Sequence, residues 1–275
     1  MGQRPDVAAR RRAFHTLHQS GCFVSPNPWD CGSAVLLAHL GFRALATTSS
    51  GFAWTLGRRD NHVTLDEALA HFEAIASAVD VPVSADFEGG FATDPAAVAV
   101  NVRAAAATAI AGLSIEDSTG RQDQPLFEFE LSVDRVRAAR AAIDAESSAV
   151  LLTARSEGFI CGRPELRDTI RRLTAYADAG ADCLFAPGLR SLDDISSIVT
   201  AVAPKPVNVL VGSDFATVAQ LRDLGVRRIS VGGALARAAW TGAVQAATEI
   251  GERGTFAALG RAIPSADMQK LFEGR

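Results

Sequence analysis

Residues 83–91 read VSADFEGGF, and the way this stretch begins and ends decides the fold. It opens as a buried strand, with Val81 and Val83 flanking Pro82. It then presents Asp86 and Glu88 and turns away at Gly89 and Gly90. Residues two apart on a strand project to one side, so the spacing predicts two carboxylates delivered to one face. The glycine pair lets the backbone turn sharply there and leaves room beside the acids.

Working outward, the same grammar recurs along the chain. Apolar or β-branched runs alternate with Ala-rich stretches of helical period. The strand cores are CFVS, ALATT, VPVSAD, GLSIE, AVLLTA, CLFAP, PVNVLV and RISVG. Helices are predicted in TLDEALAHFEAIASAV, with Thr64 as N-cap, in DPAAVAVNVRAAAATAI, and in RPELRDTIRRLTAYADA, with Pro164 in its first turn. Gly41, Gly112, Gly180 and Gly225 read as helix stops before strands 2, 4, 6 and 8.

Eight strands alternating with helices point to a single (β/α)8 TIM barrel spanning 1–275. An N-terminal helix is expected at about 5–19 and a helical extension at about 233–275. A doubly wound open sheet is the alternative. Nearly every apolar run ends in polar residues: Asn27 and Asp30, then Thr48, Ser49 and Ser50, then Asp86, Glu116, Arg155 and Asn208. A barrel would gather these ends around one mouth, whereas an open sheet would spread them along an edge.

Composition excludes several classes. The chain is 48% hydrophobic and 21% charged, with net charge −4 and signs mixed along its length. No basic block suggests nucleic acid, and no apolar run approaches the ~18 residues of a membrane span. The N-terminus reads as an amphipathic helix without a leader's apolar core, so the expected location is cytoplasmic. Cys22, Cys31, Cys161 and Cys183 form no metal-binding spacing and read as reduced core thiols. His15 and His18 share a helix face and read as surface or partner-facing groups.

Glu116, on the strand after VSADFEGGF, can join Asp86 and Glu88. Three converging carboxylates repel unless a cation sits among them. An all-oxygen set on strand ends suits Mg²⁺, with Mn²⁺ as the substitute. Arg155 leaves an otherwise apolar strand, AVLLTAR, as a fixed anion partner at the mouth. It can also pair with Glu116 or Glu157. Thr48, Ser49 and Ser50, followed by Gly51, offer amides and hydroxyls to a substrate carboxylate.

The order NPWD, TTSSGFAWTLGRRD, SADFEGG, SIED, LLTARSE and PVNVLV, from Asn27 to about Gly233, resembles the isocitrate lyase/phosphoenolpyruvate mutase superfamily. The resemblance implies a (β/α)8 barrel that binds Mg²⁺ and small 2-oxo acids and works through an enolate-like unit. It implies metal ligation by Asp86 and Glu88, with Glu in place of the family's second Asp, and by Glu116. It places Asp60 at the metal's water shell and the Ser49 and Ser50 amides at the substrate carboxylate. Arg155 and Asn208 fall on substrate-contacting positions, and Trp29 and Asp30 on a segment that shapes the pocket.

The segment after strand 4 departs from the family. The lyases carry a K-[KR]-C-G-H lid there, and the mutases and phosphonopyruvate hydrolases a lysine and an asparagine. Here it reads EDSTGRQDQPLFEFELS, without Cys, His, Lys or Asn. Asp123 is the acid or base this lid offers, and Cys161 belongs to the next loop. The expected activity is a Mg²⁺-dependent carbon–carbon lyase on a small 2-oxo or 2-hydroxy acid, with Arg155, Asp60 and Glu116 as catalytic groups. Arg58, Arg59 and Arg121 suggest a dicarboxylic substrate. The alternatives are carbon–phosphorus chemistry, or a barrel that binds the acid without turnover. ALARAAWTGAVQAATEI is apolar on more than one face, and the family exchanges this helix between subunits, so a homodimer or homotetramer is expected.

Overall fold

Eight parallel strands, each followed by helix, realise the alternation read from the sequence. The computed structural model describes residues 6–273, so the ends of the expected 1–275 domain and Pro5 of the expected first helix lie outside the described residues. The strands are β1 (Phe23–Val24), β2 (Leu45–Ala46), β3 (Val83–Asp86), β4 (Gly112–Glu116), β5 (Leu151–Arg155), β6 (Cys183–Phe185), β7 (Val207–Leu210) and β8 (Arg228–Ser230). Each lies within the apolar run that predicted it, except that β5 runs one residue further, to Arg155. They pair in the order β1-β8-β7-β6-β5-β4-β3-β2, as a TIM barrel requires and a doubly wound sheet does not.

The seam between β1 and β2 is held by more than backbone. Ala46 N donates to Pro26 O at 3.1 Å. Asn27 then donates from Nδ2 to Thr47 O at 2.9 Å, while its Oδ1 accepts from Val231 N and Gly232 N, both at 2.8 Å. One buried amide thus ties β1, β2 and β8 where the short strands run out of ladder.

Helix α1 (Val7–Gln19) closes the bottom of the barrel. Its His18 is a correction to the sequence reading. It is only 7% exposed, packed edge-on against Phe14 and Phe23 with ring centroids 4.6 and 5.0 Å away. Gly112 is a second correction. It has no left-handed backbone and is the first residue of β4, where a Cβ would lie 2.7 Å from Phe14 Cε1. The other three predicted stops do adopt positive φ: Gly41 at 88°, Gly180 at 102° and Gly225 at 90°.

Helices α2 (Cys31–His39), α3 (Ser49–Thr55), α4 (Leu65–Ala78), α5 (Pro95–Ala107), α6 (Phe129–Ala145), α7 (Leu166–Asp178), α8 (Leu192–Ala201) and α9 (Val218–Asp223) surround the strands. Thr64 caps α4 through a reciprocal box with Glu67, and Asp94 caps α5. Pro164 lies before Glu165, the N-cap of α7, and so precedes the helix instead of starting its first turn. Ala-rich α5 and α6 pack on the sheet through small side chains such as Ala105 and Ala139, both fully buried.

Beyond the barrel come α10 (Ala234–Arg253) and α11 (Ser265–Lys270). Of α10 only Ala236 is buried, while Trp240 is 46% and Val244 60% exposed. The short segments after Arg253 therefore leave this apolar face uncovered within the chain. No helix among the described residues is long and apolar enough to cross a membrane.

Candidate active site

The strand ends converge on one mouth, and Arg155 is its hub. The guanidinium leaves the end of β5 and reaches three carboxylates from three places. Nη1 lies 2.7 Å from Asp86 Oδ1 on β3, and Nη2 lies 3.2 Å from Glu116 Oε2 on β4 and 2.9 Å from Glu157 Oε1. Its face rests 5.1 Å from the centroid of Phe185. Burial disfavours the charge, but Glu116, Glu157 and Asp86 outweigh it and hold the guanidinium charged.

The acids outnumber that cation. Burial pushes Glu116 well above the usual carboxylate range, and the charges of Glu157, Asp86 and Glu88 add to it. Burial likewise raises Asp60, helped by Asp86, and pushes Glu88 up to about 8, helped by Asp86 and Asp60. A site with this surplus of negative charge favours either protons or a further cation.

Each residue singled out from the sequence has a definite place. Asp86, Glu116 and Arg155 are brought together. Asp60 borders the same space, and Asn208 lies at its far side. Glu88 is different. The strand ends at Asp86, and Glu88 has left-handed backbone with φ 47°, so strand alternation does not aim it at the mouth. It borders a small recess shared with Asp86 and His71. Among the described residues, no three His, Cys, Asp or Glu side chains are grouped to hold a metal.

The turn that places Glu88 is itself braced. Arg135 of α6 donates to the carbonyls of Gly89 and Ala92, and to that of Thr93 at 2.8 Å, with its guanidinium 4.1 Å over the Phe127 ring. Gly90, at φ 72°, meets the left-handed requirement that the glycine pair predicted.

Thr48 N-caps α3, its Oγ1 accepting from Gly51 N at 3.4 Å. Ser50 Oγ lies 3.1 Å from Thr48 Oγ1. Ser49 N donates to Asp86 Oδ2 at 3.0 Å. The amide expected to hold a substrate carboxylate therefore holds a protein carboxylate here. Gly51 is required by contact, since a Cβ would sit 2.6 Å from Thr48 Cγ2. Asp30 is a helix cap, accepting from Ser33 N at 2.6 Å.

Two adjoining cavities of about 190 and 460 Å³ open at this mouth and share Ser49, Asp60 and Arg155. The larger lies under the 118–130 segment. There Arg121 is paired with Asp123 at 2.5 Å in full solvent, and Arg121 holds the Asp123 carboxyl below the usual range. An ionised, paired aspartate is a poor acid. Cys161, set aside by its position in the chain, does border this cavity, with Sγ 3.9 Å from Ser118 Oγ and its thiol pushed up by burial. Arg58 is likewise occupied, 2.8 Å from Glu67. Arg58 and Arg121 are thus both already paired, in exposed ion pairs, and Arg121 still borders the larger cavity.

Sequence reading missed two residues. Glu157 completes the arginine cluster, and the sequence showed it only as a neighbour of Arg155. Arg228, 4% exposed on β8, reaches across the barrel floor, and nothing in RISVG distinguished it from a charged residue facing solvent.

Fold and site together define a parallel (β/α)8 barrel with an acid-rich polar pocket at the carboxyl ends of its strands, where barrel enzymes carry their chemistry. Residues 14–251 match the family model of phosphoenolpyruvate phosphomutase. The chain belongs to the isocitrate lyase/phosphoenolpyruvate mutase superfamily of carbon–carbon lyases and mutases. An uncharacterized Mycobacterium tuberculosis protein is 33% identical over 94% of this chain and 95% of its own. An oxaloacetate decarboxylase of Pseudomonas savastanoi is 29% identical over 79% and 76%. A solved Burkholderia cenocepacia structure, provisionally assigned as a lyase or mutase, superposes with TM-score 0.94 at 46% identity, covering 98% of this chain and 97% of that one.

Proposed function

We propose that the chain is a Mg²⁺-dependent lyase that cleaves a carbon–carbon bond in a small 2-oxo or 2-hydroxy acid. The observation that carries this reading is the buried surplus of carboxylates around a single mouth arginine. Asp60, Asp86, Glu88, Glu116 and Glu157 cluster about Arg155, and the further arginine bordering that end, Arg121, is already paired with Asp123. The donors are all oxygen, and the site's own electrostatics call for more positive charge. Both fit Mg²⁺ held by one or two carboxylates with the remainder of its shell water. Asp86 and Glu116, with Glu88 behind them, would hold the ion, and Asp60 would meet its water shell. Bound there, the ion supplies Lewis-acid stabilisation of an enolate oxygen.

The chain's own residues do the rest. Arg155 holds fixed positive charge where the carbanion's electron pair delocalises onto oxygen, and its three carboxylates keep it from moving. The Ser49 and Ser50 amides orient the substrate carboxylate once Asp86 turns from Ser49 to its other partners. Asn208 binds from the opposite wall. The lid lacks the family's usual acid, so product protonation comes from solvent or from the raised carboxyls at the mouth. The uncovered face of α10 supports assembly as a homodimer or homotetramer, and the free cysteines suit a reducing cytoplasm.

The test is thermal unfolding with oxalate, a mimic of the pyruvate enolate, with and without Mg²⁺. A ligand at ~100 times its Kd stabilises by ~2.7 kcal/mol. A rise in Tm that needs both additives supports the reading. No rise with both present overturns it.

A further inference from the structure

The smaller cavity ends on a charge that the site as described does not use. Arg228 leaves β8 into the barrel interior and lines the floor of that cavity. Its Nε donates to Asn208 Oδ1 at 3.0 Å, and its Nη2 to Thr153 Oγ1 at 3.1 Å. Both partners are neutral. Its Nη1 is buried and has no hydrogen-bond partner among the described residues. No carboxylate lies within ion-pair distance of Arg228 among those residues, and the charge of Arg155 adds to the burial that disfavours its own.

This is an expensive arrangement. A buried cation normally carries a paired anion, because a close opposite charge and satisfied hydrogen bonds are what offset the loss of its hydration. The two arginines of the cavity differ on this point. Arg155 meets three carboxylates, and Arg228 meets none. The uncompensated positive charge of the pocket therefore sits at its deep end, away from the mouth acids. Asn208 is the link, since it accepts from Arg228 while its Nδ2 donates to Ser230 Oγ at 2.9 Å. Those two bonds fix the amide in place at the cavity wall, which Asn208 lines.

We infer that Arg228 is a specificity-determining residue that receives a second anionic group of the substrate, a carboxylate distal to the 2-oxo acid end held at the mouth. The inference rests on the lyase reading for the mouth and adds what occupies the floor. A dicarboxylate spans the pocket with one end at Ser49 and Arg155 and the other at Asn208 and Arg228. A substrate with a methyl group in the distal position leaves the floor charge unanswered.

The test uses matched pairs that differ by one carboxylate: oxaloacetate against 2-oxobutanoate, and 2-oxoglutarate against 2-oxopentanoate. Binding of each to the full chain with Mg²⁺ is measured by calorimetry, alongside oxalate, which reaches only the mouth. Wild type is expected to prefer at least one dicarboxylate by tenfold or more. Arg228→Met is expected to abolish that preference while oxalate binding stays within twofold, and Arg228→Lys to keep part of it. No preference in wild type, or an equal loss of oxalate in Arg228→Met, overturns the inference and leaves Arg228 a structural group. If Arg228→Met does not fold, the wild-type preference and Arg228→Lys decide. Failure of oxalate alone, with an Arg228-dependent dicarboxylate preference intact, sinks the metal–enolate reading and not this one.

Discussion

Arg155 Nη1 lies 2.7 Å from Asp86 Oδ1, a contact that spans from β5 to β3 across the mouth of the barrel. The same carboxylate accepts Ser49 N at 3.0 Å through its other oxygen. Asp86 thus holds together the arginine and the amide proposed to bind the substrate. Asp86→Asn keeps the shape and removes the charge, so it should abolish the Mg²⁺-dependent oxalate shift while the fold persists by circular dichroism. An unchanged shift would remove Asp86 from the metal site.

Replacing Arg155 by Gln leaves Asp86, Glu116 and Glu157 buried without their shared cation. Removing one partner of a buried ion pair costs about 3–5 kcal/mol. The loss should be largest at neutral pH and shrink on acidification, because burial already favours the neutral forms of Glu116 and Glu157. Urea unfolding at pH 7.5 and 5.5 checks it. A cost independent of pH would mean that packing, not charge, is what the arginine supplies.

Tyr176 lies behind the site. Its hydroxyl donates to Asp117 Oδ2 at 2.7 Å, and Asp117 also accepts Arg172 Nη1 at 3.2 Å and Glu157 N at 2.7 Å. Tyr176→Phe removes one bond to a charged group, worth about 1.5–3 kcal/mol, and leaves the other two. Stability should fall by that order while the oxalate shift survives. A lost shift would show that this network also positions Glu157.

Gly112 and Phe14 meet at the barrel bottom, where an added Cβ would come within 2.7 Å of the ring. Gly112→Ala should cost about 1–3 kcal/mol through overpacking. Combining it with Phe14→Leu should cost less than the two single changes summed. Simple additivity in a double-mutant cycle would place the clash elsewhere.

Burial lowers His18 from 6.5 to about 3, with Arg228 adding to the effect. Between those values the unfolded chain binds a proton that the folded chain refuses, so stability is lost as pH falls below 6.5. His71, lowered by burial to about 4, acts in the same window. Each histidine should give the stability a downward slope of up to about 1.4 kcal/mol per pH unit from pH 6.5 towards 4.5, while Glu88 and the other raised carboxyls at the mouth act in the opposite sense, so the histidine part is read from urea midpoints of wild type and variant side by side. His18→Leu should flatten that slope. An identical slope in the variant would show that His18 protonates freely.

Much of this protein is settled by local chemistry. Thr64 and Glu67 close a capping box wherever they are placed, and Gly41, Gly180 and Gly225 permit a backbone that other residues resist. Apolar runs ending in acids or Arg155 are strand ends in any barrel. These signals act over a few residues, so the succession of strands along the chain and the polar ends Asp86, Glu116 and Arg155 that gather at the mouth could be read directly.

What the tertiary structure alone decided is which distant groups meet. Asp86 and Arg155 are 69 residues apart, and Thr153 and Arg228 are 75 apart. Strand alternation predicted Glu88 at the mouth, but the strand ends at Asp86, and Glu88 comes to the recess beside the mouth acids from a left-handed turn with φ 47°. A helical face suggested that His18 was exposed, but α1 lies under the barrel and buries it. Arg228 looked like any charge in a short strand until closure of the ring set it across the floor from Thr153. The physical reason is common to all three. Period and capping fix what each residue does in its own element, whereas burial and pairing depend on the register and curvature with which eight elements close.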